Sequence, residues 1–254
     1  MSTLAAALTL LAVVTTAAAA ASPDSRHIRI ARTGPTDASG RVVAGDDRAQ
    51  TARALDNLSA KLAARGCRME QVAAVTVDLR SEADFAAMNE VYAKYWPDNP
   101  PTRTTVVARP AEPGALLELT AVALPDGAER RVVLPEGWLR PASPYSYAIQ
   151  SGDTLFLSGL LSRNARDNSI VPGDIVTQTG QVLRNAVELL EAAGMTTDDV
   201  ESARVYVTST AMVRQMESAW REAFGTRVPP RTVVRSRLVA PEALVEITMT
   251  AERR

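Results

Sequence analysis

Pro101-Thr102-Arg103-Thr104 recurs 128 residues later as Pro229-Pro230-Arg231-Thr232. The same offset, without a gap, links Gln50 to Gln178, Leu55 to Leu183, Asn57 to Asn185 and Leu62 to Leu190. It continues through Gly66 and Gly194, Val77 and Val205, Met88 and Met216, and Glu118 and Glu246. Glycine, proline, arginine and glutamate do not fall into one register over that length by chance, so the chain is an internal duplication.

Each copy reads alike. Asp46–Arg65 and Asp174–Ala193 carry apolar residues at helical spacing and stop at Gly66 and Gly194. Extended, β-branched segments follow at Val72–Leu79 and Val200–Thr208, then second helices at Glu82–Tyr95 and Ala211–Phe224. Two strands close each copy: Thr104–Ala108 with Leu116–Leu124, and Thr232–Arg237 with Leu244–Ala251. The second copy adds a leading hairpin, Tyr145–Gln150 and Thr154–Ser158, turning at Ser151-Gly152-Asp153. The first shows only Ile28–Ala31 there, as if truncated at its first strand. The expected order per copy is β-β-α-β-α-β-β, an α+β sandwich with helices on one face of a mixed sheet. The expected boundaries are a leader at 1–22, domains at 26–125 and 143–254, and a linker at 126–142 rich in proline and charge.

The leader, almost wholly Ala, Leu, Val and Thr from Leu4 to Ala21, runs into small residues and reads as a secretory signal without a basic start. It predicts an exported chain, periplasmic or secreted, with a cytoplasmic chain as the alternative. The alanine richness of the leader argues against its being a stable membrane span, and no stable membrane insertion is expected after leader removal. Among the 254 residues, 46% are hydrophobic and 22% charged, and net charge is −1. No Lys/Arg block forms a stripe for phosphates, so no nucleic-acid partner is expected. One cysteine, Cys67, and one histidine, His27, leave no metal site built from these residues and little scope for a His-dependent nucleophile.

The Pro-x-Arg-Thr runs, together with Leu116-Leu117-Glu118-Leu119 and Leu244-Val245-Glu246-Ile247, resemble the signature of the Rid (reactive intermediate deaminase, YjgF-type) family. Ser143-Pro144-Tyr145 resembles that family's Gly-Pro-Tyr entry, and Leu157-Ser158-Gly159 its Ser-Gly. The resemblance implies a chorismate-mutase-like fold, a homotrimer with clefts between subunits, and no cofactor. It also implies hydrolysis of small 2-imino or enamine acids to a 2-oxo acid and ammonia. In that reading an arginine holds the substrate carboxylate and the strand glutamate positions water.

The residue types suit the task. A guanidinium grips a carboxylate through two parallel hydrogen bonds and stays charged. A glutamate among strand aliphatics needs a partner or a role. The second copy is the more complete, so Arg231 is expected to clamp the carboxylate and Glu246 to position water. Tyr145, Ser158 and Gly159 support them, while Arg103, Glu118 and Asn89 form the neighbouring wall. Against this stands a structural account, in which Arg103 pairs with Glu118, and Arg231 with Glu246, inertly within each sheet. Tyr145 is then strand-edge packing, Tyr92 and Trp220 are helix-face core, and Cys67 is a small packing residue. Asn89 faces Glu217 at the matched position, and Thr120 and Thr248 stand where family members often carry a second glutamate. Two other functions fit the same pattern: a non-catalytic module that binds a small carboxylate, and a specialised enzyme of secondary metabolism on the same fold.

Overall fold

Asp46 and Asp174, 128 residues apart, each cap a helix by accepting a backbone N–H from the residue three positions on, Ala49 and Thr177. The helices are α1 (Asp47–Ala63) and α3 (Ile175–Ala192). Just past their ends, Gly66 and Gly194 adopt the left-handed conformation, φ 71° and 70°, that closes a helix cheaply only with glycine. Gln50 and Gln178 repeat a third device. Each buried amide oxygen accepts a backbone N–H, from Leu116 at 2.9 Å and Leu244 at 2.8 Å, fastening the helix to the chain that enters the last strand.

The computed structural model describes residues 26–254; the expected leader, and any strand before Ile28, lie outside the described residues. The first copy contributes β1 (Ile28–Thr33), β2 (Val72–Leu79), α2 (Phe85–Tyr95), β3 (Thr102–Val107) and β4 (Leu117–Ala123). The second copy contributes β5 (Arg131–Val133), β6 (Ala148–Ser151), β7 (Thr154–Leu157), β8 (Val200–Val207), α4 (Val213–Phe224), β9 (Arg231–Arg235), β10 (Arg237–Leu238) and β11 (Val245–Glu252). The α+β reading holds, with each copy forming a mixed sheet. One sheet runs β1-β4-β2-β3-β10, the other β5-β6-β7-β11-β8-β9. In each, the strands joined through the second helix are parallel, β2 with β3 and β8 with β9, and the other pairings are antiparallel.

Three details depart from the sequence expectations. The second helices begin with a 3-10 turn, Glu82–Asp84 and Thr210–Met212, capped by Ser81 and Ser209. The expected linker contributes β5, which pairs with β6 and extends the second sheet. A short strand of the second copy, β10, crosses over to pair antiparallel with β3 of the first, Arg237 opposite Val107 and Leu238 opposite Val106. No periodicity marks a two-residue strand, which exists only because another sheet edge is within reach.

Each copy buries a core between its helices and one sheet face, around Leu55, Leu58, Val77, Tyr92 and Leu119 in the first and Leu183, Leu189, Val205, Trp220 and Ile247 in the second. The other sheet faces turn toward each other. There Ala73 and Leu124 meet Ile149 and Phe156, and Val106 meets Tyr206, Leu238 and Ala243. The helix-free faces are therefore the joint between copies. That joint places the start of β3 against the segments before β6 and after β7 that bear Tyr145 and Gly159, and against Glu246 on β11.

Candidate active site

Arg103 begins on β3, next to the rigid Pro100-Pro101 pair, and its backbone is stitched into the second copy. Its N–H donates to Ser158 Oγ at 3.1 Å, and its carbonyl accepts the Gly159 N–H at 3.0 Å. The Ser158 hydroxyl in turn donates to the Ser146 carbonyl at 2.6 Å. The Arg103 side chain is 5% exposed and lies in an aromatic cage. Its guanidinium carbon is 5.5 Å from the Phe85 ring centroid, 4.9 Å from Tyr92 and 5.7 Å from Tyr145, the last from the other copy. Such contacts hold a cation at roughly 0.5–2 kcal/mol each, and apart from a weak Nη1 contact to Met88 Sδ at 4.0 Å they leave the N–H groups of Arg103 for an anion. Burial pulls the Arg103 pKa down, with Tyr92, Tyr145 and Glu246 opposing.

Glu246 reaches the same cavity from β11. Its side chain is 3% exposed at the residue level, and Oε2 is buried without a hydrogen-bond partner. Burial pushes the carboxyl up to about 8, while the Thr105 backbone and Arg103 pull the other way. Gly159 makes room for it: a Cβ built there would sit 1.8 Å from Glu246 Oε1. Tyr145, half-buried on the cavity wall, has its phenol raised first by burial and then by Tyr147. The cavity holds about 110 Å³. Phe85, Arg103 and Thr105 of the first copy line it, facing Tyr145, Gly159, Arg163, Asn168 and Glu246 of the second. Among the described residues no cluster of His, Cys, Asp or Glu is arranged to hold a metal, and no helix is long and apolar enough to cross a membrane.

The expectation that Arg231 joins Glu246 is corrected by this geometry: Arg103 and Arg163 line the cavity, and Arg231 does not. Arg231 lies instead over Trp220, 4.7 Å from the ring centroid, and pairs with Glu217. The two inert pairings do not form either, because Glu118 pairs with Arg32 at 2.9 Å rather than with Arg103. Each copy's arginine and glutamate sit on the same sheet, yet the cavity takes one from each. Ser158 is also corrected: its hydroxyl serves backbone groups and does not line the cavity. Asn89 and Glu118 lie outside it, and Asn89 Oδ1 is buried without a partner. Tyr92 and Trp220 are fully buried on their helices, as expected, and additionally floor the two arginines. Phe85, Thr105, Arg163 and Asn168 were not legible as site residues, because none has a matched counterpart of the same type to single it out.

The model of the Ribonuc_L-PSP family, described as Endoribonuclease L-PSP, matches this chain twice, over residues 19–124 and 137–253. A RutC family protein of Sulfurisphaera tokodaii is 38% identical over 114 residues, covering 45% of this chain and 91% of the relative. Another from Pyrococcus horikoshii is 35% identical over 122 residues, covering 48% and 97%. A crystal structure of a chorismatase superposes with a TM-score of 0.64 at 16% identity, over 79% of this chain and 69% of that one. That likeness concerns the fold, and it spans more than one copy. The chain belongs to the Ribonuc_L-PSP (RidA/YjgF) family and carries the family's domain in tandem.

Proposed function

We propose that this protein is a hydrolytic deaminase of small 2-imino or enamine acids, working at one cavity between its two copies. The observation that carries the reading is the meeting of a buried, carboxylate-free Arg103 with a buried Glu246 whose Oε2 has no partner. Arg103 clamps the substrate carboxylate by a two-pronged hydrogen bond, and its aromatic cage fixes the guanidinium plane in advance. Glu246, as carboxylate, holds a water against the imine carbon and takes its proton as the C–O bond forms. The proton passes to nitrogen to give a carbinolamine; Glu246 then moves the hydroxyl proton to nitrogen as the C=O forms and the C–N bond breaks, and a 2-oxo acid and ammonia leave. Tyr145 is placed to hydrogen-bond the reacting nitrogen or the carboxylate. Family membership supports this chemistry at the level of the family.

A cavity of about 110 Å³ suits an acid of a few carbons, being well below the 300–1,000 Å³ of drug-sized sites. With a net charge of −1, that size favours a small acid over a nucleic acid. Because the cavity is completed within one chain, the reading requires no neighbouring subunit, and the homotrimer expected from the resemblance is not part of it. Export remains part of the proposal; a shortened, mature chain in the cell-envelope or culture fraction would support it.

The test is ammonia release from 2-iminopropanoate, generated in place, by the full chain and its variants. Arg103→Ala and Glu246→Gln are expected to lose most of the acceleration, on the order of 100-fold, whereas Arg231→Ala stays within about threefold. Loss in Arg231→Ala alone would transfer the clamp back to the second copy. If the wild type binds 2-oxobutanoate through Arg103 but accelerates nothing, the alternative of a non-catalytic carboxylate-binding module takes over.

A further inference from the structure

Arg163 is the second cation of the cavity, and the mechanism above leaves it unused. It is held by a built loop. Its carbonyl accepts from Asn185 Nδ2 at 2.8 Å, its backbone bridges to Ile170, and its Nη1 donates to the Asn168 carbonyl at 2.6 Å. Asn168 is fixed in turn: it adopts a left-handed φ of 61°, its Oδ1 accepts from the Tyr147 hydroxyl at 2.9 Å, and its Nδ2 donates to the Arg140 carbonyl at 3.2 Å. Tyr147 is braced edge-on by Trp138 and Tyr145. The chain thus spends an asparagine, two tyrosines and a strained backbone position on orienting one arginine. One accepted carbonyl satisfies only part of a five-donor guanidinium. Among the described residues, no carboxylate lies within 4 Å of it.

The charge balance points the same way. Arg103 lies over the Tyr145 ring, Arg163 lines the same cavity, and both charges oppose the burial that raises the Tyr145 phenol. Among the described residues the only carboxyl lining the cavity is Glu246, whose pKa burial pushes up to about 8, so that it is largely protonated near neutral pH. With that proton in place the lining presents two guanidiniums, Arg103 and Arg163, and a single carboxylate neutralises only one of them.

We infer that Arg163 forms a second anion subsite, and that the cavity selects small 2-oxo or 2-imino acids carrying a second carboxylate. The imine half of that statement rests on the deaminase reading; the recognition of two carboxylates does not.

The test uses calorimetric titration of the full chain with oxaloacetate and with 2-oxobutanoate, similar in size but differing by one carboxylate. The wild type is expected to bind oxaloacetate at least about tenfold more tightly, a preference that a second ion pair in a desolvated site readily supplies. Arg163→Met should abolish the preference while leaving 2-oxobutanoate within about threefold, and Arg163→Lys should restore part of it. A collapsed loop would weaken both ligands together, so the ratio isolates the charge. Equal affinities in the wild type, binding of neither acid, or a preference that survives Arg163→Met would overturn the subsite. Ammonia release without the preference would sink the subsite and spare the deaminase; the preference without ammonia release would uphold the subsite and remove the deaminase.

Discussion

The two copies hold the same arginine and the same glutamate, yet in each copy one of the two reaches the cavity and the other is ion-paired. In the first copy Arg103 faces a cavity without a carboxylate partner, while Glu118 is paired with Arg32 and also accepts the Ala111 N–H. In the second copy Glu246 faces the cavity, while Arg231 is paired with Glu217. The substitutions responsible align in register. Glu217 stands where the first copy has the uncharged Asn89. Leu119 pairs with Thr33 as Ile247 bridges Leu160, so Arg32 occupies the place of Gly159. Beside Glu118 on the neighbouring strand lies Asp78, whose carboxyl is raised first by burial and then by Glu118; beside Glu246 lies Tyr206. Strand β3 is buried along most of its length by the second copy, whereas the matching β9 is an edge. A duplicated site does not have to be kept or lost whole. Here the two groups that line the cavity are without an ion-pair partner among the described residues, and the other two are closed by ion pairs.

That contrast breaks most sharply at the glutamates. Glu246→Gln should lower kcat/KM by about 100-fold or more, whereas Glu118→Gln, measured in the same ammonia assay, should change it less than threefold. Comparable losses in both would mean that the first copy also works. Next in size is Gly159→Ala, whose Cβ would displace the Glu246 carboxylate and should cost at least about tenfold in kcat/KM and 1–3 kcal/mol of stability by overpacking. Arg32→Ala, at the matched place, should leave the rate within about twofold, as read from the same kinetics.

The pH response is smaller and follows from burial. If the carboxylate is the working form, kcat/KM should climb as pH rises toward 8, and Glu246→Gln should flatten that limb. Stability should respond in the opposite sense. With its pKa raised above the unfolded value, Glu246 keeps a proton in the folded protein that the unfolded chain has already released. It therefore costs no stability at low pH and an increasing amount between the ordinary carboxylate range and about 8. Chemical denaturation of wild type and Glu246→Gln across that window should converge at low pH and separate as pH rises; curves that stay parallel would remove the shifted group. The smallest effect is expected at Glu217→Gln, which frees Arg231 at a partly exposed pair. It should lower stability by about 1 kcal/mol and leave activity unchanged.

Most of the scaffold was legible because its signals are local. Helix period, the aspartate caps and the glycine stops all lie within a few residues of the elements they define, and the offset of 128 doubled each one. The residue types of the site were legible for the same reason: an arginine after prolines and a glutamate among strand aliphatics are unusual wherever they occur. Their pairing was not. Arg231 with Glu246 was the natural assumption because both lie in the copy that retains Tyr145, and nothing local reports which sheet face meets which. The small pieces that decide the matter, β5 in the apparent linker and the two-residue β10, carry no periodicity and form only against an edge supplied by other strands.

The sequence by itself determined a tandem α+β chain of one family and the kinds of group its chemistry needs, since these follow from short-range pattern and repetition. Only the tertiary structure decided that one site is assembled from Arg103 of the first copy and Glu246 of the second. That choice is made by the packing of two helix-free sheet faces, a contact between residues more than a hundred positions apart, where burial rather than local pattern selects which charges meet.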